Sequence, residues 1–248
     1  MQLNRVLLLW MLFAFATGIT NLSAQEISQS KELTFQKWRI ALNGGVGYRL
    51  ASTKDTKEML IQQGYSESQV DNYFKNIKWG PKFSGQVHYM LNSNYGVGID
   101  YQFHQSSGSI TGTIDPGDGV TLFYGTTEDK VFTNYTGLSL YGNQWIIENK
   151  LNWVAQTSIG LTLFRQENIS FYTPVLITGK ALGINFQTGL DYMITKSIAL
   201  GLHVNYFQST VSKIEVNDGS TTSTIELEKE MYEGLARLDA GFGVSFYF

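Results

Sequence analysis

From Trp38 to the C-terminus, apolar and polar residues alternate in runs long enough to form strands with one greasy and one polar face. In Trp38–Leu50 the apolar set is Trp38, Ile40, Leu42, Val46, Tyr48 and Leu50, opposite Arg39, Ala41, Asn43, Gly45, Gly47 and Arg49. Trp79–Leu91 sets Trp79, Phe83, Val87, Tyr89 and Leu91 against Lys82, Ser84, Gln86 and His88. Tyr95–Phe103 sets Tyr95, Val97, Ile99, Tyr101 and Phe103 against Gly96, Gly98, Asp100 and Gln102. The same period runs through Leu151–Phe164, Leu182–Ile194, Ile198–Ser209 and Gly234–Phe248, and more weakly through Val131–Gly142, with Leu138 and Leu140 outward. Eight strands are predicted.

The connections alternate as well. Ala51–Lys78, Ser106–Lys130, Arg165–Ala181 and Thr210–Glu233 are long, whereas Asn92–Asn94, Asn143–Asn149 and Thr195–Ser197 are short. Long loops at one end and short turns at the other are the plan of an outer-membrane barrel, with its turns in the periplasm and its loops outside. The prediction is an all-β protein: an eight-stranded antiparallel up-and-down transmembrane β-barrel with long extracellular loops and short periplasmic turns. The apolar face must point outward. Arg39, Arg49, Lys82, Asp100, Asp191, Arg237 and Asp239 all fall on the polar face, and a cation facing mid-bilayer lipid costs ~2–4 kcal/mol. An eight-stranded interior has room only for side chains, which suits the face rich in Gly, Ser and Asn. Aromatic residues collect near the strand ends: Trp38, Tyr89, Tyr95, Tyr192 and Phe248 at one, and Tyr48, Trp79, Phe103 and Tyr206 at the other. These predict the two interfacial girdles.

The N-terminus reads as an export signal. Met1–Arg5 carries one cation, Val6–Ile19 is apolar, and a small residue, Ala24, precedes Gln25. The expected organisation is therefore a signal peptide over 1–24, a periplasmic tail over 25–36 and the barrel over 37–248. Removing Arg5 with the signal moves the net charge from −3 to about −4, and no basic patch suggests nucleic acid. The chain has no cysteine and three histidines, none paired at metal-ligand helical spacing, so neither a metal nor a cofactor is expected.

The last strand ends Gly241-Phe242-Gly243-Val244-Ser245-Phe246-Tyr247-Phe248. A terminal Phe with apolar residues at every second position before it resembles the signal by which outer-membrane barrels are recognised during assembly. In its whole plan, Trp38–Phe248 resembles the small outer-membrane β-barrel proteins of the OmpA-barrel and OmpX-like type. The resemblance implies a monomer in the cell outer membrane, surrounded by outer-membrane lipid and handled by the barrel-assembly machinery through Phe242, Val244, Phe246 and Phe248. It implies no enzyme activity.

Among candidate sites, Arg39, Arg49, His88, Asp100, Asp191, His203, Arg237 and Asp239 are expected to form a paired network in the lumen, because unpaired charge there is heavily penalised. His104-Gln105-Ser106 puts a His and a Ser on one face, the beginning of a hydrolase arrangement that lacks a nearby Glu. Asp55-x-x-Glu58 and Ser66-x-x-Gln69 read as capping boxes. Val70, Tyr73, Phe74 and Ile77 then mark a short amphipathic helix expected to pack on the barrel rim. Asp115-Pro116-Gly117-Asp118-Gly119 reads as a plain turn. In the last strand Phe242→Arg is expected to be the most damaging cation, and Ser245, near the periplasmic mouth, to tolerate one better than Phe242 does. A structural or surface-interaction role through the external loops is expected first, a narrow conduit for small solutes second and a lipid-modifying hydrolase third.

Overall fold

The computed structural model describes residues 35–114, 123–170 and 173–248. The signal peptide, most of the 25–36 tail and the Asp115–Gly119 turn lie outside them. Eight strands close into a ring: β1 (Trp38–Arg49), β2 (Trp79–Met90), β3 (Tyr95–Ile114), β4 (Phe123–Ile147), β5 (Leu151–Ser170), β6 (Thr173–Met193), β7 (Ile198–Val211) and the last strand, β11 (Arg237–Tyr247). Each is antiparallel to its neighbours, and β11 closes the ring by pairing with both β7 and β1. Between β7 and β11 the chain forms a hairpin of β8 (Lys213–Asn217) and β9 (Thr222–Glu226), then a short β10 (Glu233–Gly234) that pairs with the end of β7. Two helices, α1 (Lys54–Gln62) and α2 (Glu67–Lys78), fill the connection from β1 to β2.

The faces lie as the alternation requires for a transmembrane barrel. Leu42, Phe83, Ile99, Leu138, Ile159, Leu182, Leu202 and Phe242 are exposed on the outside, while Lys82, Asp100, Asp191, His203, Arg237 and Asp239 are buried inside. A closed ring satisfies its backbone hydrogen bonds internally, which lets such a wall stand in hydrocarbon. At the short-turn end Trp38 meets Tyr89 edge-on, ring centroids 5.2 Å apart; at the other end Tyr48 and Trp79 lie 5.0 Å apart. Tyr206, expected in the same girdle, is covered and donates its hydroxyl to Gln208.

The strands run further than the sequence pattern suggested. The connections expected at Ser106–Lys130 and Arg165–Ala181 are mostly continuations of β3 with β4 and of β5 with β6, paired out to Ile114↔Phe123 and Ser170↔Thr173. The β8–β9 hairpin joins this extension by pairing β8 with Leu176–Gly179 of β6. Together they form a wall standing above the ring on one side. The strands appeared to stop because the polarity of their faces reverses there. In β7, Leu202 and Val204 face outward and His203 and Asn205 inward; a few residues on, Gln208 and Thr210 face outward and Phe207 and Val211 inward. The pleat keeps its phase and only the polarity changes.

Reversed polarity also explains the weak signal of β4. Its inward positions include Val131, Tyr135 and Tyr141, all buried, and its outward positions include Asn134 and Thr136. Tyr101 on the neighbouring strand satisfies Asn134 by donating its hydroxyl at 2.9 Å. The ring of Tyr135 lies where a Cβ on Gly137 would sit 2.3 Å from its hydroxyl, so a side chain at 137 would displace it.

Helix α2 begins at a complete capping box. The Ser66 hydroxyl accepts from the Gln69 backbone, and the Gln69 side chain accepts from the Ser66 backbone. The other expected box does not form. α1 starts two residues earlier, with Thr53 at the N-cap and no side-chain cap bond, so Asp55 falls inside the helix. The apolar stripe of α2, Val70, Tyr73, Phe74 and Ile77, packs against inward-facing Ile110, Val131, Phe164, Phe207 and Val211. The helix therefore sits against the inner face of the wall and roofs the ring, a firmer seat than the rim expected for it. Lys57 of α1 pairs with Asp71 of α2.

Candidate functional site

The interior of the ring holds two polar layers. In the layer nearer the short turns, Arg39 is central. Its guanidinium donates to Ser245 at 2.9 Å, Gln86 at 3.1 Å and Tyr247 at 3.4 Å, and lies 3.6 Å from Asp191. It also lies over the Tyr141 ring, 4.4 Å from the centroid, a cation–π contact worth ~2 kcal/mol when desolvated. Asp191 is bonded in turn by His203 at 2.8 Å and accepts from Ser245 and Tyr247. His88 meets Ser139 at 2.8 Å beside Tyr141. β1, β2, β4, β6, β7 and β11 each contribute one or more of these groups, so the layer ties the closing seam of the ring to its far side.

The second layer forms a chain of bonds across the barrel. Arg237 donates to Asp239 at 3.0 Å and to Gln102 at 2.8 Å; Gln102 donates to Asp100, which also accepts from Ser158 and Asn185. Asn205 completes Asp239 at 2.8 Å. Asp100 has three neutral donors and, among the described residues, no cation within salt-bridge distance. Lys82, buried on the neighbouring strand β2, donates to Ser84. Arg237 stacks on Phe207, 4.2 Å from the ring centroid, and Phe207 packs edge-on against Tyr135. This is the joint between the polar lumen and the apolar roof.

Seven of the eight expected lumen residues thus lie in these layers. Arg49 instead stands at the upper mouth, paired at 2.6 Å with Glu233, a residue assigned to a loop from the sequence. Ser245 does not sit at an open mouth as expected. It is buried between Arg39 and Asp191, which the sequence could not show because both partners come from distant strands. Sequence reasoning missed Tyr141 and Tyr247, and placed Gln102, Ser158 and Asn185 on the polar face without a role. The signal for Tyr247 was its parity with Ser245 and Gly243 on the inward face of the last strand. The apolar residues read as an assembly signal, Phe242, Val244, Phe246 and Phe248, lie on the outer face or end of that strand.

Between the layers, a void of about 10 Å³ is flanked by Asn43, Lys82, His203, Asn205 and Asp239. That is room for about one water molecule. His104 and Ser106 face inward and are buried, but among the described residues His104 Nε2 and the Ser106 hydroxyl each lack a hydrogen-bond partner. A nucleophile and its base need to be bonded to each other, so this pair has no hydrolase geometry.

Above the ring, Asp129 on β4 accepts from Tyr73 of α2 at 2.5 Å, Gln166 at 2.7 Å and Asn168 at 2.9 Å. Burial, and then the charge of Asp129, hold the Tyr73 phenol well above its ordinary range, so it remains a donor. This cluster fastens the roof helix to the wall. At the edge of the wall, Asp218 accepts from the backbone of Ser220 and Thr221 in the β8–β9 turn, which keeps its carboxyl well below the usual range.

No family model and no curated protein matches the chain. Among solved structures it is similar in fold to outer-membrane proteins. These include the outer membrane protease OmpT from Escherichia coli (9% identity, TM-score 0.45, covering 90% of this chain and 99% of that one). They also include Neisserial surface protein A (13%, TM-score 0.43, 86% and 97%) and a major outer membrane protein from Thermus thermophilus (12%, TM-score 0.48, 85% and 99%). At these identities the likeness is one of fold alone, that of the small outer-membrane β-barrels.

Proposed function

We propose that the protein is a monomeric outer-membrane barrel that acts by surface recognition through its external wall, with the lumen serving as a rigid core. The observation that carries this reading is the free edge of the wall at β9. Leu227 N–H donates to Ser212 C=O, and Asp218 N–H to Thr221 C=O. The odd-numbered residues of β9 therefore turn their backbone groups toward β8. The N–H and C=O groups of Thr222, Thr224 and Glu226 face away from β8, where among the described residues no strand pairs with them. All five side chains of β9 are exposed. An uncovered edge is a template for a strand of another protein, and main-chain bonds supply its affinity. The local charge selects for a cationic partner, since Glu215, Asp218, Glu226 and Glu228 outnumber Lys213 and Lys229.

The conduit reading is disfavoured by the lumen, where Arg39, Tyr141, Arg237, Phe207 and the α2 roof stack along the axis. In this reading the lipid of the outer membrane surrounds the apolar band, and the Phe242–Phe248 face meets the assembly machinery at the short-turn end. The test is capture of surface proteins by the intact refolded barrel and by Thr224→Pro, which removes an edge donor. Bands lost with Thr224→Pro support the reading and unchanged bands contradict it. A large, steady single-channel current in a planar bilayer would favour the conduit.

A further inference from the structure

The outer face of the ring is not evenly filled. Pairing sets Ala155 of β5, Thr188 of β6, Val204 of β7 and Ala240 of β11 side by side, all on the outward parity of their strands. The row beneath, nearer the short turns, is Trp153, Leu190, Leu202 and Phe242 in the same register. Leu202 and Phe242 are each 70% exposed. The row above is Phe186, Tyr206 and Leu238. A row of small side chains thus runs between two rows of large ones, and a hollow of about 640 Å³ opens along it.

The floor of this trough offers no free side-chain donor or acceptor. The Thr188 hydroxyl accepts from the Trp153 indole at 3.0 Å and donates to the Val154 carbonyl at 3.1 Å. The same bond fixes the indole at the β5 end. Such a floor suits an alkyl chain and penalises a polar ligand, whose groups would go unpaired. The row also slants. It lies four residues from the short-turn end of β5 at Ala155, five at Thr188, six at Val204 and seven at Ala240. It therefore rises from the short-turn interface into the apolar band. Four strands at ~4.8 Å spacing give it a length of about 14 Å, close to the ~15 Å depth of one hydrocarbon leaflet.

Below the β5 end, Lys150 stands in the β4–β5 turn, its ammonium 5.9 Å from the ring centroid of outward-facing Tyr192. Lys196 stands in the β6–β7 turn. Neither makes a salt bridge among the described residues. Glu148 is the one carboxylate in these two turns, which leaves them a single net positive charge. Lys37 and the C-terminal carboxylate, at the feet of β1 and β11, offset each other. The net charge at the foot of the trough matches one phosphodiester.

We propose that the trough seats one acyl chain of a periplasmic-leaflet phospholipid, with its phosphate held at the foot by Lys150 and Lys196. The trough is continuous with the band that faces lipid, so a chain enters it without leaving its leaflet. The proposal rests on the ring's place in the membrane and is independent of the β9 edge.

In the experiment the barrel is refolded into dioleoyl phosphatidylglycerol vesicles, extracted in mild detergent and weighed by native mass spectrometry. Heat-dependent gel mobility first shows that the wild type and each variant have inserted and folded. Failure of the wild type at that step would overturn the membrane placement, and the seat with it. One phospholipid is expected to stay with each barrel. Ala240→Phe, and separately Val204→Phe, fill the trough from the lipid side and should lower retention about tenfold, ~1.4 kcal/mol. Ile99→Phe, on the outer face of β3, should retain lipid as the wild type does. Lys150→Gln/Lys196→Gln should lower retention by a similar factor. Dioleoylglycerol, which has the same chains without the phosphate, should be retained as poorly. No retained phospholipid, full retention by the folded filling variants or by folded Lys150→Gln/Lys196→Gln, equal retention of dioleoylglycerol, or a two-barrel species in place of the lipid overturns the seat while leaving the membrane placement intact.

Discussion

The ring and the wall above it are built from the same strands, yet they are packed in opposite senses. Within the ring, Leu202, Leu161 and Ile99 face outward, and inside them the core is polar, with Arg39, Asp191, Asn205 and Gln102 in hydrogen-bonded layers. In the wall, Lys130, Glu128, Glu167 and Thr210 face outward, and Ile110, Val131, Phe164 and Val211 pack inward under α2. No bulge intervenes in β7 to shift the phase. The surrounding medium decides which face is apolar: hydrocarbon rejects charge from the outside of the ring, whereas water lets the wall bury its apolar side in the ordinary way. The reversal marks where the membrane ends along β3 to β7, the strands that run on past the apolar band.

The comparison can be broken first at the roof. Phe74→Ala removes a buried ring from the α2 stripe and should cost ~3–5 kcal/mol locally. The loss should appear as faster hydrogen exchange of residues 54–78 with unchanged heat-dependent gel mobility of the ring. Simultaneous loss of both would mean that roof and ring are one cooperative unit. In the lumen, Arg237→Ala leaves Asp239 short of its charged partner and removes the donor to Gln102. It should cost ~1–3 kcal/mol in refolding stability; a neutral result would show that Asn205 alone satisfies the carboxylate. Ser245→Arg should also be damaging, because it sets a second cation beside Arg39. Measured in the same refolding assay, a tolerated Ser245→Arg would show the lower layer to be open to water.

The smallest effect is expected at the latch. Tyr73→Phe loses the bond to Asp129 and should loosen α2 by ~1 kcal/mol. The Tyr73 phenol is held above its ordinary value, so the latch is fully present below about pH 10 and weakens as pH rises beyond it. The difference in roof stability between wild type and Tyr73→Phe should therefore shrink above that pH; a constant difference would show that the hydroxyl contributes by packing alone.

The ring was largely legible in the sequence because period-2 alternation reports both the strand and its buried face. Trp38, Phe83, Ile99 and Phe242 were all placed on their side of the wall from parity alone. The extensions were not legible, because a reading that follows apolar residues on one face stops where they move to the other, as at Phe103 and Phe164. The roof helix announced itself through Ser66, Gln69 and the Val70–Ile77 stripe, but its seat did not, since its partners Ile110, Phe164 and Phe207 lie in residues that read as loop or as the ends of strands. In the lumen the charges were identifiable and their partners were not. Arg39 with Ser245, and Arg237 with Gln102, are joined across more than a hundred residues of chain, and a barrel brings them together only through its closure and register.

The most direct test of the polarity reversal compares two substitutions on one face of one strand. Leu202 and Thr210 both point outward from β7 and are both exposed. The reversal places Leu202 against hydrocarbon and Thr210 in water. Measured as refolding stability in phospholipid vesicles, Leu202→Arg should cost ~2–4 kcal/mol, and Thr210→Arg should lie within ~0.5 kcal/mol of wild type. Equal costs at the two positions, or a tolerated Leu202→Arg, would contradict the placement of the ring in the membrane and of the wall outside it.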